Sequence, residues 1–312
     1  MSTPDLRVTF CGIPFRNPLV LASGILGTQP ELLARVAAAG AGGVTTKSIS
    51  PRPRAGHPNP SVLKWGPGFI NAVGLQNPGM ERGLQLLRET RRLLEEQGLE
   101  VRLIASIFAE TVEGFARVAE HLTQARPDFI EVNISCPNVA HELGRPFAED
   151  PEDAAAVTRA VKNATDLPVI VKLSPNVTEI AAIAQAVAAA GADAIAAINT
   201  VAGMVIDIRA RRPVLANLEG GLSGPAIKPI AVHAIYEIRR AVSLPILGIG
   251  GVTTGEDAIE LMMAGATLVG VGSAAYWHGP EVLGVIAEQM TAFLQEEGIP
   301  RVRDIIAAAH GV

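Results

Sequence analysis

At 312 residues the chain could hold one large domain or two of average size, so its architecture has to come from pattern. Hydrophobic residues make up 48% of it and aromatics only 4%, so the core is built of Ala, Val, Ile and Leu, the residues of parallel strands and their covering helices. A net charge of -5, a pI near 5.7 and the lack of any basic run exclude nucleic acid as a partner.

Met1 to Pro18 contains Asp5 and Arg7 and no long apolar core, so it reads as neither a signal peptide nor an anchor. No later stretch offers about twenty uninterrupted apolar residues. The expectation is a soluble cytoplasmic protein with no membrane partner. Cys11 and Cys136 are the only cysteines, and neither has a neighbour at metal-ligand spacing, which argues against a zinc site and a disulfide framework. Any role for Cys136 is therefore that of a thiol.

Eight short apolar runs, bounded by Gly, Pro or polar residues, predict strands in chain order. Val8 to Cys11, around a turn, predicts a hairpin first. Leu19 to Ser23 is the first strand, with a helix from Gln29 to Ala39. Gly42 to Ser48 is the second, followed by a long polar loop and a helix over Met80 to Glu96. Val101 to Ile107 and Phe129 to Asn133 precede helices at Thr111 to Gln124 and Pro151 to Ala164. Val169 to Leu173 and Ala194 to Ile198 flank an Ala-rich helix, Val177 to Ala190. Gly220 to Gly224 reads as a flexible loop. Ile246 to Ile249 and Leu268 to Val271 are the last strands, with helices at Gly255 to Ala264 and Pro280 to Glu297.

Strict alternation of strand and helix demands parallel strands, and eight such units close into a (β/α)8 barrel. A doubly wound sheet would carry an early glycine-rich dinucleotide turn, and none follows the first strand. The predicted fold is α/β, a TIM barrel with the N-terminal β-hairpin as a cap, forming a single domain over residues 1–312.

In such barrels chemistry sits at the C-terminal strand ends. Polar residues there are Ser23, Lys47, Ser48, Ser106, Asn133, Cys136, Lys172, Asn199 and Thr200. Either lysine alone could snorkel to solvent, but two at equivalent strand ends point to a ligand. Gly250 and Gly251 end the seventh strand and Gly272 and Ser273 follow the eighth. Barrels frequently bind phosphate there; the plain alternative is ordinary turn glycine. Asn133-Ile-Ser-Cys-Pro-Asn138 sets a cysteine just past a strand, with a proline fixing the turn and amides on both sides. That placement faces a ligand, whereas Cys11 reads as inert packing. No histidine motif accompanies Cys136, so a proton-abstracting thiolate fits better than an acyl-forming one. The loop from Pro137 to Asp150 is long enough to form a lid.

These runs, with Thr46-Lys47-Ser48, Asn71-Ala-Val-Gly-Leu-Gln-Asn-Pro-Gly79, Val171-Lys172-Leu173, Ile198-Asn199-Thr200, Gly220-Gly-Leu-Ser-Gly224 and Gly248-Ile-Gly-Gly251, resemble the class 1 dihydroorotate dehydrogenases. The likeness extends along nearly the whole chain and is greatest to the class 1B catalytic subunit. It implies one FMN per chain and oxidation of (S)-dihydroorotate to orotate in pyrimidine synthesis. By position, Cys136 resembles the catalytic base. Lys47, Asn71, Ala72, Val73, Gly74, Leu75, Asn133, Asn199 and Thr200 resemble the substrate-binding set. Ser23, Lys47, Ser48, Ser106, Asn133, Lys172, Ile198, Gly224, Gly250, Gly251, Gly272 and Ser273 resemble the FMN contacts, with Lys172 near the flavin pyrimidine edge and the last four as the phosphate cup. Ser106 departs from the asparagine found in many members.

The resemblance further implies a partner subunit carrying FAD and a 2Fe-2S cluster, passing electrons to NAD, around a homodimer core in a heterotetramer. Two cysteines are too few to hold such a cluster on this chain. Other readings of the same residues are a dihydropyrimidine dehydrogenase-like flavin enzyme and a flavin-free, phosphate-binding lyase with a Schiff base on Lys172.

Overall fold

The computed structural model describes residues 3–135 and 147–311, so Cys136 and most of the Pro137 to Asp150 loop lie outside the described residues. A hairpin comes first, β1 (Val8–Phe10) against β2 (Ile13–Phe15). Eight strands then close a barrel: β3 (Leu19–Leu21), β4 (Gly43–Thr45), β7 (Arg102–Ile107), β8 (Phe129–Asn133), β9 (Val169–Lys172), β10 (Ala194–Ala197), β15 (Ile246–Ile249) and β16 (Leu268–Val271). Every neighbouring pair is parallel, and Gly270 opposite Val20 completes the circle. The strands are short, and all but Arg102 of their residues are buried, as expected where helices cover one face and the barrel axis the other.

Register and the period of two assign the inward positions. On β8 these are Phe129, Glu131 and Asn133; beside them stand Ile104 and Ser106 of β7, and Ile170 and Lys172 of β9. The hairpin closes the barrel's N-terminal end. Phe10 and Phe15 meet Phe129 with centroids 5.6 and 5.8 Å away, Cys11 Sγ donates to Asp193 O at 3.4 Å, and Arg102 Nε donates to Pro14 O at 2.8 Å. This is the cap expected from the sequence.

Several elements depart from the sequence reading. The stretch before Met80 contains a hairpin, β5 (Val62–Trp65) and β6 (Gly68–Asn71), turning at Gly66-Pro67. Gly220 to Gly224 is largely a strand, β14 (Gly220–Ser223), between β6 and β11 (Val201–Gly203). Together these form a four-stranded antiparallel sheet after the strand ends, and β12 (Ile206–Asp207) and β13 (Arg212–Pro213) form a small ribbon beyond it. The glycines that suggested a loop serve close packing: a Cβ on Gly220 would stand 2.5 Å from Asn71 O.

The helix Lys228–Ala241 also escaped the sequence reading, although Ala231, Ala234, Ile235 and Ile238 bury one face at helical spacing. The Ala-rich helix runs Ile180–Ala189, starting after Val177. Asn176 is held outside it, donating from Nδ2 to Thr200 O at 3.1 Å and accepting from Ala202 N at 2.8 Å. A six-residue helix, Ser273–His278, precedes the last long one, Val282–Glu296. Among the described residues, no helix is long and apolar enough to cross a membrane.

Phe129 joins the barrel floor to the hairpin, so Phe129→Ala is expected to cost about 3–5 kcal/mol in guanidinium unfolding. Cys11 gives a pH signature. Burial, then the nearby Asp193 carboxylate, pushes its thiol from 9.0 up to about 12, with Lys162 opposing. The unfolded thiol ionises near 9 while the folded one keeps its proton. Its contribution to stability is therefore full below about pH 9 and is lost as pH rises toward about 12. Urea midpoints at about pH 8 and about pH 10 should fall more steeply in wild type than in Cys11→Ala.

Candidate active site

The strand ends converge on a cavity of about 410 Å³ under the antiparallel sheet. Ser23 reaches it after β3, Lys47 and Ser48 after β4, and Asn133 and Lys172 from the last positions of β8 and β9. Ile198, Asn199 and Thr200 follow β10, Gly250 and Gly251 follow β15, and Gly272 and Ser273 follow β16. From the covering side come Asn71, Val73, Gly74, Leu75 and Gly224. Two other sequence-predicted residues do not reach the cavity. Ala72 is buried with Ile70 and Leu215 within the covering layer, and Ser106 lies one step behind Ser48. Cys136 falls outside the described residues.

One directed hydrogen-bond chain crosses the polar wall. Thr200 N donates to Asn199 Oδ1 at 2.8 Å, and Asn199 Nδ2 donates to Ser135 Oγ at 2.9 Å. Ser135 Oγ donates to Asn133 Oδ1 at 3.2 Å, and Asn133 Nδ2 donates to Ser48 Oγ at 3.0 Å. Ser48 and Ser106 then share a hydroxyl bond of 2.9 Å. Asn133, Ser48, Ser106 and Ser135 are all buried, so the chain satisfies groups that would otherwise be costly to bury. It also fixes which way each amide points into the cavity.

Lys172 is only 5% exposed, and its ammonium finds no acceptor or ion-pair partner among the described residues. A buried, unpartnered cation at a cavity wall matches an electron-rich or anionic ligand edge.

On the opposite side, the glycine loop after β15 is braced from behind. Asp257 accepts from Thr253 N at 2.8 Å, Thr253 Oγ1 at 2.7 Å, Thr254 N at 3.0 Å and Lys228 Nζ at 2.7 Å. Burial pushes the Asp257 carboxyl up, but Lys228 and the Thr253 and Thr254 donors outweigh it and hold the group below its usual range. Hydrogen bonds to Asp257 and Glu260 raise Lys228 in turn. Gly251, at φ +75°, leaves no room for a side chain, since a Cβ would stand 2.6 Å from Lys228 Cβ. The loop therefore offers backbone N–H groups and little else.

The covering segment is held by His57. Its backbone N–H donates to Val73 O at 3.1 Å, Nδ1 lies 3.2 Å from Ala72 O, and its ring fills the place a Cβ on Gly74 would take. Phe69 stacks on Trp277 at 4.7 Å and meets Tyr276 edge-on, tying the covering sheet to the short helix after β16. Phe69 and Tyr276 line the cavity themselves. Ser135, His57, Lys228, Asp257, Phe69 and Tyr276 were not singled out from sequence. Two signals were available: the Gly66-Pro67 turn between apolar runs, and Thr254-Gly-Glu-Asp257 as a helix start.

The sequence model of a family described as Dihydroorotate dehydrogenase matches residues 5–294. Among curated relatives, one from Methanocaldococcus jannaschii is 45% identical over 305 residues, covering 98% of each chain. One from Pyrococcus abyssi is 45% identical over 97% of this chain and 99% of its own, and one from Methanosarcina acetivorans is 46% identical over 96% and 94%. All three are named Dihydroorotate dehydrogenase B (NAD(+)), catalytic subunit. In fold the chain is similar to a crystal structure of DHODH from Eimeria tenella in complex with ferulenol. The TM-score is 0.87 at 22% identity, covering 99% of this chain and 89% of that one.

The polar chain gives a stability prediction. Ser106→Ala removes a terminal hydroxyl and should cost about 1 kcal/mol. Asn133→Ala strips partners from Ser48, Ser135 and Asn199 and should cost about 2–3 kcal/mol more. Urea unfolding of the two variants checks the order, and equal costs would mean that the bonds are not linked.

Proposed function

This chain belongs to the dihydroorotate dehydrogenase family, and on that footing we propose that it oxidises (S)-dihydroorotate to orotate in pyrimidine synthesis, using FMN bound in the barrel mouth. The whole 312-residue chain serves as one catalytic domain. The observation that carries the reading is Lys172, a buried unpartnered cation in the wall of a cavity whose other side is a braced glycine loop. The residues present fit FMN. Backbone N–H groups of Gly250, Gly251, Gly272 and Ser273 suit its phosphate, Lys172 its pyrimidine edge, and Ser23, Ser48, Ile198 and Gly224 its ring and chain. The chemistry FMN supplies when bound is acceptance of a hydride from C6 of the substrate.

The protein's own work is holding the substrate and moving a proton. Lys47 holds the substrate carboxylate with a fixed positive charge. Asn71, Asn133, Asn199 and Thr200, with the backbone from Val73 to Leu75, grip the pyrimidine edges and fix its orientation. The hydrogen-bond chain from Thr200 to Ser106 supports this, because it leaves those amides little freedom to turn. Cys136, as thiolate, takes the C5 proton. Covering side chains such as Phe69 and Val73 exclude water from that exchange.

The enzyme works in the cytoplasm and delivers its electrons to NAD through a second subunit with FAD and a 2Fe-2S cluster, a homodimer of this chain forming the core of a heterotetramer. Support comes from the relatives' designation as catalytic subunits of an NAD(+)-linked enzyme. The two cysteines of this chain are also too few to hold such a cluster.

Purified protein should be yellow and should bleach when dihydroorotate is added without oxygen; a colourless, folded protein would sink the reading. Cys136→Ala should keep its FMN and lose flavin reduction by roughly 10²–10⁴-fold in stopped flow. Cys136→Ser should be slow at neutral pH, and the wild-type rate should rise with pH as the thiol ionises.

A further inference from the structure

Among the described residues, five buried side-chain polar atoms lack a hydrogen-bond partner. Three of them lie inside the barrel: Oγ1 of Thr45 and both carboxylate oxygens of Glu131. Glu131 is fully buried. On β8, Phe129 packs on the hairpin at the floor and Asn133 lines the cavity at the mouth, so the period of two sets Glu131 between them on the inner face. Thr45 lies inward in the same way, between Gly43, which faces Phe15, and Lys47 of the cavity wall.

Glu131 stands level with Ser106 of β7 and Ile170 of β9, while Lys172 stands level with Asn133. Glu131 and Lys172 are therefore one pleat apart on adjacent strands, on the same inner face. Both are buried, and neither has a hydrogen-bond or ion-pair partner among the described residues. The other charged side chains at inward positions are spoken for or lie higher. Arg102 bonds Pro14 O and pairs with Asp128 at the floor, and Lys47 is at the mouth. Ile104, Ile170, Ala194, Ala196 and Leu247 supply apolar surroundings at this depth.

A lone carboxylate in such surroundings takes up a proton, and a lone ammonium gives one away. Two opposite charges one pleat apart, with apolar side chains around them, each hold the other ionised. We infer that Glu131 is a positioning residue, an ionised counter-charge on the barrel axis that keeps Lys172 protonated and partly cancels its field at the flavin end of the cavity. Its effect on the flavin rests on the function proposed above; the charge pair itself does not. No bond is made or broken by it. Glu131 sets how much positive charge Lys172 presents when electron density moves onto the bound ring.

The FMN-free protein tests the pair. With ¹³C-labelled glutamate, the infrared difference between wild type and Lys172→Gln should show a buried carboxylate in wild type converted to a protonated carboxyl in the variant. A protonated Glu131 in wild type, or no change on losing Lys172, overturns the pair, and neither measurement requires a Glu131 variant to fold. The loaded protein tests the consequence. Glu131→Gln should raise the reduced-to-oxidised ratio of bound FMN at fixed potential about tenfold, ~30 mV for a two-electron couple, and should have no such effect once Lys172 is Gln. A shift below about threefold, or an equal shift in both backgrounds, overturns the proposal. A chain that binds no FMN overturns the functional reading instead, and the infrared comparison still decides the pair.

Discussion

Closure of the barrel is the constraint on which the rest of the structure depends. Eight parallel strands joined edge to edge leave no free edge, and the pleat sends every second side chain to a common axis. What occupies that axis changes with depth. At the floor it is aromatic, with Phe129 against Phe10 and Phe15; at the mouth it is polar, with Asn133 and Lys172. Strand β8 supplies a residue to both ends. A side chain's role is thus set by its height on the strand, and a shift of register by one residue would turn the entire set outward.

The mouth is finished by elements that the barrel does not require. The antiparallel sheet ties the segment after β4 to the segment after β10, and Phe69 joins it to the short helix after β16. The glycine loop after β15 is stiffened from outside by Lys228 and Asp257. The cavity therefore has rigid walls of two kinds. One presents side chains fixed by a hydrogen-bond chain, and the other presents backbone fixed by a half-buried ion pair. Sites held this way keep their geometry better than sites carried on free loops.

Much of this was legible in the sequence, for physical reasons that differ along the chain. The barrel strands were legible because burial on both faces makes each an unbroken apolar run, as in Val169 to Leu173. The covering strands were not, because they are half-exposed: Val62–Trp65 reads as polar through Lys64, and Gly220–Ser223 reads as a turn. Lys47, Lys172, Asn133 and Asn199 were legible as polar groups at strand ends. Ser106 stands at such an end yet faces Ser48 and not the cavity, a distinction that depends on packing across strands. His57 and Lys228 act through Ala72 and Asp257, contacts between segments far apart in sequence, which no local pattern records. Glu131 was hidden for a different reason. In Ile130-Glu-Val132-Asn, alternation suggests a solvent-facing polar side, whereas in a closed barrel that side is the axis.

A polar axis has a further consequence for how the site comes into being. Burying a polar group without a partner is costly, and for the wall amides the partners stand on other elements. Asn133 on β8 needs Ser48 after β4 and Asn199 after β10, so its amide is satisfied only when strands on both sides are in place. The charge pair inferred for Glu131 and Lys172 likewise requires β8 and β9 in this register. An incompletely closed barrel would leave these groups desolvated without partners, and partly formed states are penalised for the same residues that the finished state uses. The polar mouth thus makes closure in one register the condition for having a site at all. Closure of the barrel therefore sets the polar wall that the covering sheet and the braced glycine loop complete.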